Sequence, residues 1–196
     1  MKYRFDNPET VFFTSDTHFW HKNIIKYCSR PFADVEEMNQ ALIDNWNSVI
    51  TRNDTVFHLG DFVFGGTTKR DNILSQLNGD IILIKGNHDD YRNIEHYSQL
   101  LIQIGEDLIY LNHYPFLTFA GAYRENVYQL FGHLHSGPYS IVENLISSDE
   151  KEAGMILSGD KGRLQYLMSN QYDVGVDNNN YKPINWKDIK IKNNWK

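Results

Sequence analysis

The segment Val11-Phe12-Phe13-Thr14-Ser15-Asp16-Thr17-His18 joins a run of β-branched and aromatic residues to an aspartate and a histidine two positions apart. The run has the composition of a short buried strand, and the polar pair stands where that strand would end. The construction recurs. Thr55-Val56-Phe57-His58-Leu59 precedes Gly60-Asp61, and Ile81-Ile82-Leu83-Ile84 precedes Gly86-Asn87-His88-Asp89. Leu108-Ile109-Tyr110-Leu111 precedes Asn112-His113, and Val127-Tyr128-Gln129-Leu130-Phe131 precedes Gly132-His133-Leu134-His135. In open α/β sheets the ligand crevice lies beyond the carboxyl ends of the strands, so these polar strand ends are expected to converge.

The intervening sequence sets the class. Val35, Met38, Leu42, Trp46, Val49 and Ile50 recur at helical steps behind Asp34, a candidate N-cap. Shorter helices are expected at Asn23 to Cys28, Lys69 to Leu77 and Tyr91 to Leu100. Later strands, at Leu101 to Ile104, Leu108 to Leu111, Arg163 to Met168 and Tyr172 to Val176, come without helical spacers and suggest a second sheet with more antiparallel pairing. The expectation is an α/β chain, 1–196 as one domain, with two packed sheets flanked by helices. Positions 136–171 read as a long insertion, either a lid or an oligomer contact.

Composition narrows the function. The 196 residues carry a formal charge of −6, which argues against broad electrostatic wrapping of nucleic acid. One cysteine, Cys28, excludes a disulfide framework and a Cys-rich zinc module, and reads as a half-buried thiol on a helix. No apolar stretch approaches the roughly 20 residues of a membrane helix, and the start lacks signal-peptide features, so a cytoplasmic protein without a membrane partner is expected.

The strand ends supply two carboxylates (Asp16, Asp61), one amide oxygen (Asn87) and four imidazoles (His18, His113, His133, His135). Seven N/O ligands are too many for one tetrahedral site and suit two cations sharing a carboxylate. In Asp16-x-His18 and His133-x-His135, residues two apart on extended backbone point to one side. Glycine before Asp61, Asn87 and His133 is read as permitting the tight turn that swings each ligand into the crevice. Taken singly, each segment is an ordinary turn.

In order, these motifs resemble those of the calcineurin-like metallophosphoesterases: Asp-x-His, Gly-Asp, Gly-Asn-His-Asp/Glu, His and Gly-His-x-His, with an echo at Gly175-Val176-Asp177. Ser15 to Ile25, followed by Arg30-Pro31-Phe32, is similar to the opening of small single-domain bacterial and phage members. The resemblance implies a four-layer αββα sandwich. It implies one metal on Asp16, His18, Asp61 and His135 and another on Asp61, Asn87, His113 and His133. The cations would be Mn²⁺ first, with Fe, Zn²⁺ or Ni²⁺ as alternatives. It also implies that His88 donates a proton or hydrogen bond to the departing oxygen, which suits an imidazole. Asp89 reads either as the orienter of His88 or as an N-cap for the next helix.

Two divalent cations would leave a local positive surplus that attracts phosphate, and a water between them would attack phosphorus in line. Where protein Ser/Thr phosphatases of the family carry Gly-Asp-x-x-Asp-Arg-Gly, this chain has Gly60-Asp61-Phe62-Val63-Phe64-Gly65-Gly66, which argues against a phosphoprotein substrate. Arg30, Arg92 and Arg124 are alternative phosphate contacts or simply solvated. His21 and Asn23 read as supports to the ligands or, for Asn23, a helix cap. His58 and His96 read as packing and surface, Phe19 and Trp20 as crevice lining or packing, and Tyr114-Pro115 as a turn leading the chain away. The expected function is hydrolysis of a small phosphodiester or phosphomonoester, nucleotide-like. A nuclease is the alternative, and a non-catalytic scaffold is a third reading.

Overall fold

The computed structural model describes residues 1–135 and 167–196. In chain order its strands are β1 (Arg4–Phe5), β2 (Val11–Thr14), β3 (Thr55–His58), β4 (Asp80–Leu83), β5 (Gln99–Ile104), β6 (Asp107–Asn112), β7 (Val127–Phe131), β8 (Gln171–Asp173) and β9 (Ile184–Asn185). The helices are α1 (Lys22–Tyr27), α2 (Val35–Asn47), α3 (Thr67–Leu74) and α4 (Trp186–Lys192).

Two mixed sheets form, ordered β1-β5-β6-β7-β8 and β4-β3-β2-β9. Strand alternation sends Val11 and Phe13 of β2 into the core between the sheets, while Phe12 packs on the other face with Trp46, Ile50 and Val56. From the second sheet, Ile102, Ile104, Ile109, Leu111, Tyr128 and Leu130 close the same inner core, joined by Trp186 and Ile189 of α4. Met38, Leu42 and Ile43 of α2 and Ile73 of α3 cover the outer face of the four-stranded sheet. As the sequence predicts, Asp34 caps α2, accepting from Glu37 N at 2.8 Å; such a cap contributes about 1 kcal/mol. The outer face of the five-stranded sheet carries Tyr110, whose ring meets Phe119 at 5.3 Å.

Register places the site. Thr14 pairs with His58, and His58 with Leu83, so β2, β3 and β4 end flush and release their polar residues at one edge. In the other sheet Leu111 pairs with Leu130, and Phe131 with Asp173. A bridge between Ser15 and Gly175 then ties the two edges together.

Three expectations change. No helix forms over Tyr91 to Leu100: Tyr97 instead pairs in parallel beside Ile84 at the end of β4, with Tyr97 N donating to Leu83 O and Lys85 N to Tyr97 O, and β5 begins at Gln99. Sheet pairing thus outcompetes helical propensity. The second sheet is antiparallel only at the β5/β6 hairpin. The strand expected at Tyr172 to Val176 runs instead over Gln171–Asp173, and Val176–Asn178 is a 3₁₀ turn. Most of the strand expected at Arg163 to Met168 and of the lid or oligomer contact at 136–171 lies outside the described residues, and Leu167 and Met168 are not in a strand. No described helix is long and apolar enough to cross a membrane.

Candidate metal centre

Five of the seven candidate ligands have left-handed backbones: Asp16 (φ 57°), His18 (50°), Asp61 (57°), His133 (71°) and His135 (49°). For a residue with a Cβ that conformation costs on the order of 1 kcal/mol, and it persists where surrounding contacts over-determine it. Those contacts are a backbone zipper between loops. Asp16 N donates to Gly60 O, His18 N to Asp61 O and Phe19 N to Phe62 O, each at 2.9 Å. Gly132 N donates to His113 O at 3.0 Å, and Val176 N to Ser15 O at 3.1 Å.

The glycines act differently from the expectation. Gly60 does need its positive φ of 97°. Gly86 and Gly132 do not, but a Cβ on Gly86 would fall on Asp61 Oδ1, and one on Gly132 on Ser15 Oγ and Asp16 Oδ2. They leave room for carboxylates rather than for a turn.

Two groups of ligand atoms result, Asp16-His18-His135 and Asp61-His113-His133, each mutually within 4.8 Å. Asp61 Oδ2 lies 3.5 Å from His18 Nε2 and 3.5 Å from His113 Nε2, between the groups. Asn87 Oδ1 joins the second at 3.0 Å from His113 Nε2. His88 N fixes the other oxygen of Asp61 at 2.9 Å.

The donor balance suits cations. His113 Nδ1 donates to Leu59 O at 2.8 Å, so in the neutral ring Nε2 is an acceptor facing two further acceptors, Asn87 Oδ1 and Asp61 Oδ2. His135 Nδ1 donates to Asp177 Oδ2 at 2.7 Å, turning Nε2 toward Asp16 Oδ1 at 3.8 Å. Asp16 Oδ1 and His18 Nε2 are buried without a hydrogen-bond partner. Lone pairs aimed at one another across a buried gap are costly unless a positive ion stands among them. The residues therefore fit a pair of divalent cations, although N/O donors alone do not choose the metal.

With no cation between them, the two carboxylates favour a proton on His113, positive charge where a cation's would stand. Burial would raise the Asp61 pKa, but His113 and His18 hold it well below the usual carboxylate range. Burial would lower the His113 pKa, yet Asp61 and Asp16 push it up to about 9. His18, nearly enclosed and beside His135, moves the opposite way.

Supports lie one layer back. Arg30, expected at a phosphate or in solvent, is buried: it grips Asp177 through two 2.9 Å bonds and donates to Thr17 O and Asp16 O. Arg92 remains exposed and pairs with Asp90, and Arg124 is exposed beside Tyr123. Asp89 is buried and accepts from Asp61 N at 2.7 Å, Phe62 N at 2.8 Å and Gly86 N at 2.8 Å. Both its oxygens are thus spent on backbone. The orienter of His88 and the cap of a following helix give way to a clamp joining two ligand loops.

His88 is exposed, its ring 5.5 Å from His18. His21 Nδ1 lies 3.3 Å from His18 Nδ1, whereas Asn23 is exposed on α1. His58 packs near Phe62 and contacts Thr17 Oγ1, His96 is exposed, and Phe19 is core. Sequence reasoning missed Tyr114, whose ring sits 4.7 Å from His133 and whose hydroxyl donates to Asn87 Oδ1 at 3.3 Å. Cys28 is partly buried at the end of α1, as the sequence predicts, but the grouping of its thiol with His135 and Asp177 was not foreseen. The signal for Tyr114 was its place directly after His113; for Cys28 there was none.

Residues 9–176 match the calcineurin-like phosphoesterase family model. An uncharacterised protein of Methanocaldococcus jannaschii is 51% identical over 83 residues, 41% of this chain and 47% of that protein. The Gene 66 protein of Mycobacterium phage L5 is 40% identical over 83 residues, 40% of this chain and 39% of that protein. The matches thus span less than half of each curated relative. A solved protein of unknown function from Aquifex aeolicus shares the fold, with a TM-score of 0.63 at 24% identity over 93% of this chain and 98% of that one.

Proposed function

Since the chain belongs to the calcineurin-like phosphoesterase family, we propose that it hydrolyses a small phosphodiester or phosphomonoester of nucleotide type, 1–196 working as one domain with two divalent cations, Mn²⁺ first. The observation that carries this reading is Asp61 Oδ2 standing 3.5 Å from the Nε2 atoms of both His18 and His113. Asp16, His18 and His135 would hold one cation and Asn87, His113 and His133 the other, with Asp61 shared. When bound, the pair supplies Lewis acidity and a water of lowered pKa.

The chain's own residues do the rest. Leu59 O and Asp177 fix the tautomers of His113 and His135, so each presents a lone pair inward. Asp89 and the loop zipper set the ligand positions before substrate arrives, which keeps reorganisation small. His88, exposed beside His18, donates its proton to the departing oxygen.

Chelator-stripped protein reloaded with Mn²⁺ and assayed on bis(p-nitrophenyl) phosphate, p-nitrophenyl phosphate and cyclic nucleotides tests the reading. Hydrolysis that appears only with metal is expected. Metal-loaded protein inert on every ester overturns it in favour of a scaffold, and salt-sensitive DNA or RNA cleavage redirects it to a nuclease.

A further inference from the structure

The rim of the centre is aromatic. Phe64 is 47% exposed and Tyr27 64% exposed, and both meet the ring of His21. His21 and Phe64 are stacked, with centroids 4.6 Å apart and planes 18° apart. His21 lies 5.2 Å from the ring of His18, and Phe64 lies 6.4 Å from that of His88. Exposed rings scattered singly would call for no explanation, but these form a continuous shelf leading to a candidate ligand and to the proposed proton donor.

The shelf is held in place. Phe64 N donates to Phe19 O at 2.8 Å, and Val63 bridges Phe19, so the backbone beneath the ring is tied to the loop that carries His18. One face of the ring meets His21, yet nearly half its surface remains open to solvent.

We propose that this shelf, Phe64 above all, is the subsite for the nucleobase of the substrate, on the leaving-group side of the centre. The inference rests on the proposed hydrolytic reading and deepens it by naming what is recognised. A planar base can lie against Phe64 while its phosphate reaches the cation site that His18 and its neighbours line: one imidazole, His21, spans ring and candidate ligand, and one sugar spans base and phosphate. Stacking on an aromatic side chain is sequence-tolerant, so the shelf selects nucleotides over sugar phosphates without choosing strongly among bases.

The test compares 5′-AMP with ribose 5-phosphate, which share sugar and phosphate and differ by the base. Binding of each to full-length Mn²⁺-loaded protein is measured by calorimetry, with bound metal quantified in every sample. Tighter binding of AMP is expected, and Phe64→Ala should lower the ratio of the two affinities about 10-fold, with Phe64→Tyr restoring it. Equal affinities in the unsubstituted protein, or a ratio untouched by Phe64→Ala, overturn the subsite while leaving the hydrolytic reading standing. A preference for aryl phosphates with no preference for AMP also overturns it. Protein that takes up no metal removes both readings together.

Discussion

Asp177 accepts a hydrogen bond from His135 Nδ1 at 2.7 Å while Arg30 holds both of its carboxylate oxygens from the other side at 2.9 Å. A buried cation, a carboxylate and an imidazole thus form one chain from α1's end to the centre. Asp177→Ala strands Arg30 without its counter-charge and releases the tautomer of His135. It should cost about 3 kcal/mol of stability and about 10-fold or more in metal affinity. Urea unfolding and metal titration read the two losses separately, and Asp177→Asn should show the smaller stability loss.

His88→Ala should lower kcat by about 100-fold or more on esters with poor leaving groups. On p-nitrophenyl esters, whose leaving group needs no proton, the loss should be much smaller. An equal loss on both would mean that His88 acts otherwise than as proton donor.

Asp89→Ala leaves three buried amides without their acceptor and should destabilise the chain by about 3 kcal/mol. Asp61 then loses its fixed position, so metal uptake should weaken although Asp89 touches no cation. Intact uptake in the variant would contradict the clamp.

His58, which contacts Thr17 between two candidate ligands, gives a pH signature of its own. Burial pulls its pKa from 6.5 down to about 3, so the unfolded chain binds the extra proton between those values. Its contribution to stability is complete above about pH 6.5 and is lost as pH falls toward 3, with a limiting slope of about 1.4 kcal/mol per pH unit. Urea midpoints measured in chelator from pH 7 to 4 should therefore fall less steeply for His58→Gln than for the unsubstituted protein.

Much of the candidate centre is legible because each candidate ligand closely follows an apolar run, and flush strand ends make neighbours of residues far apart in sequence. The motif echo at Asp177 was visible as letters, but its grip on Arg30 was not, since nothing local in Arg30-Pro31-Phe32 says that the guanidinium is buried. Left-handed backbones at Asp16 and His18 escape a sequence reading because neither residue type requires them; the zipper to Gly60 and Asp61 imposes them. The expected helix at Tyr91 to Leu100 failed for a related reason. Asp89 looks like a cap, but its oxygens serve the Asp61 loop, and Tyr97 finds strand partners that no local pattern announces.

Both groups of ligand atoms draw on both sheets. Asp16 and His18 leave the four-stranded sheet and meet His135 from the five-stranded one; Asp61 leaves the first and meets His113 and His133 from the second. Any ion lodged there would act as a rivet through the sandwich, resisting the sliding of one layer over the other. Loading the centre and stiffening the molecule would then be a single event, visible as a rise in melting temperature with metal concentration.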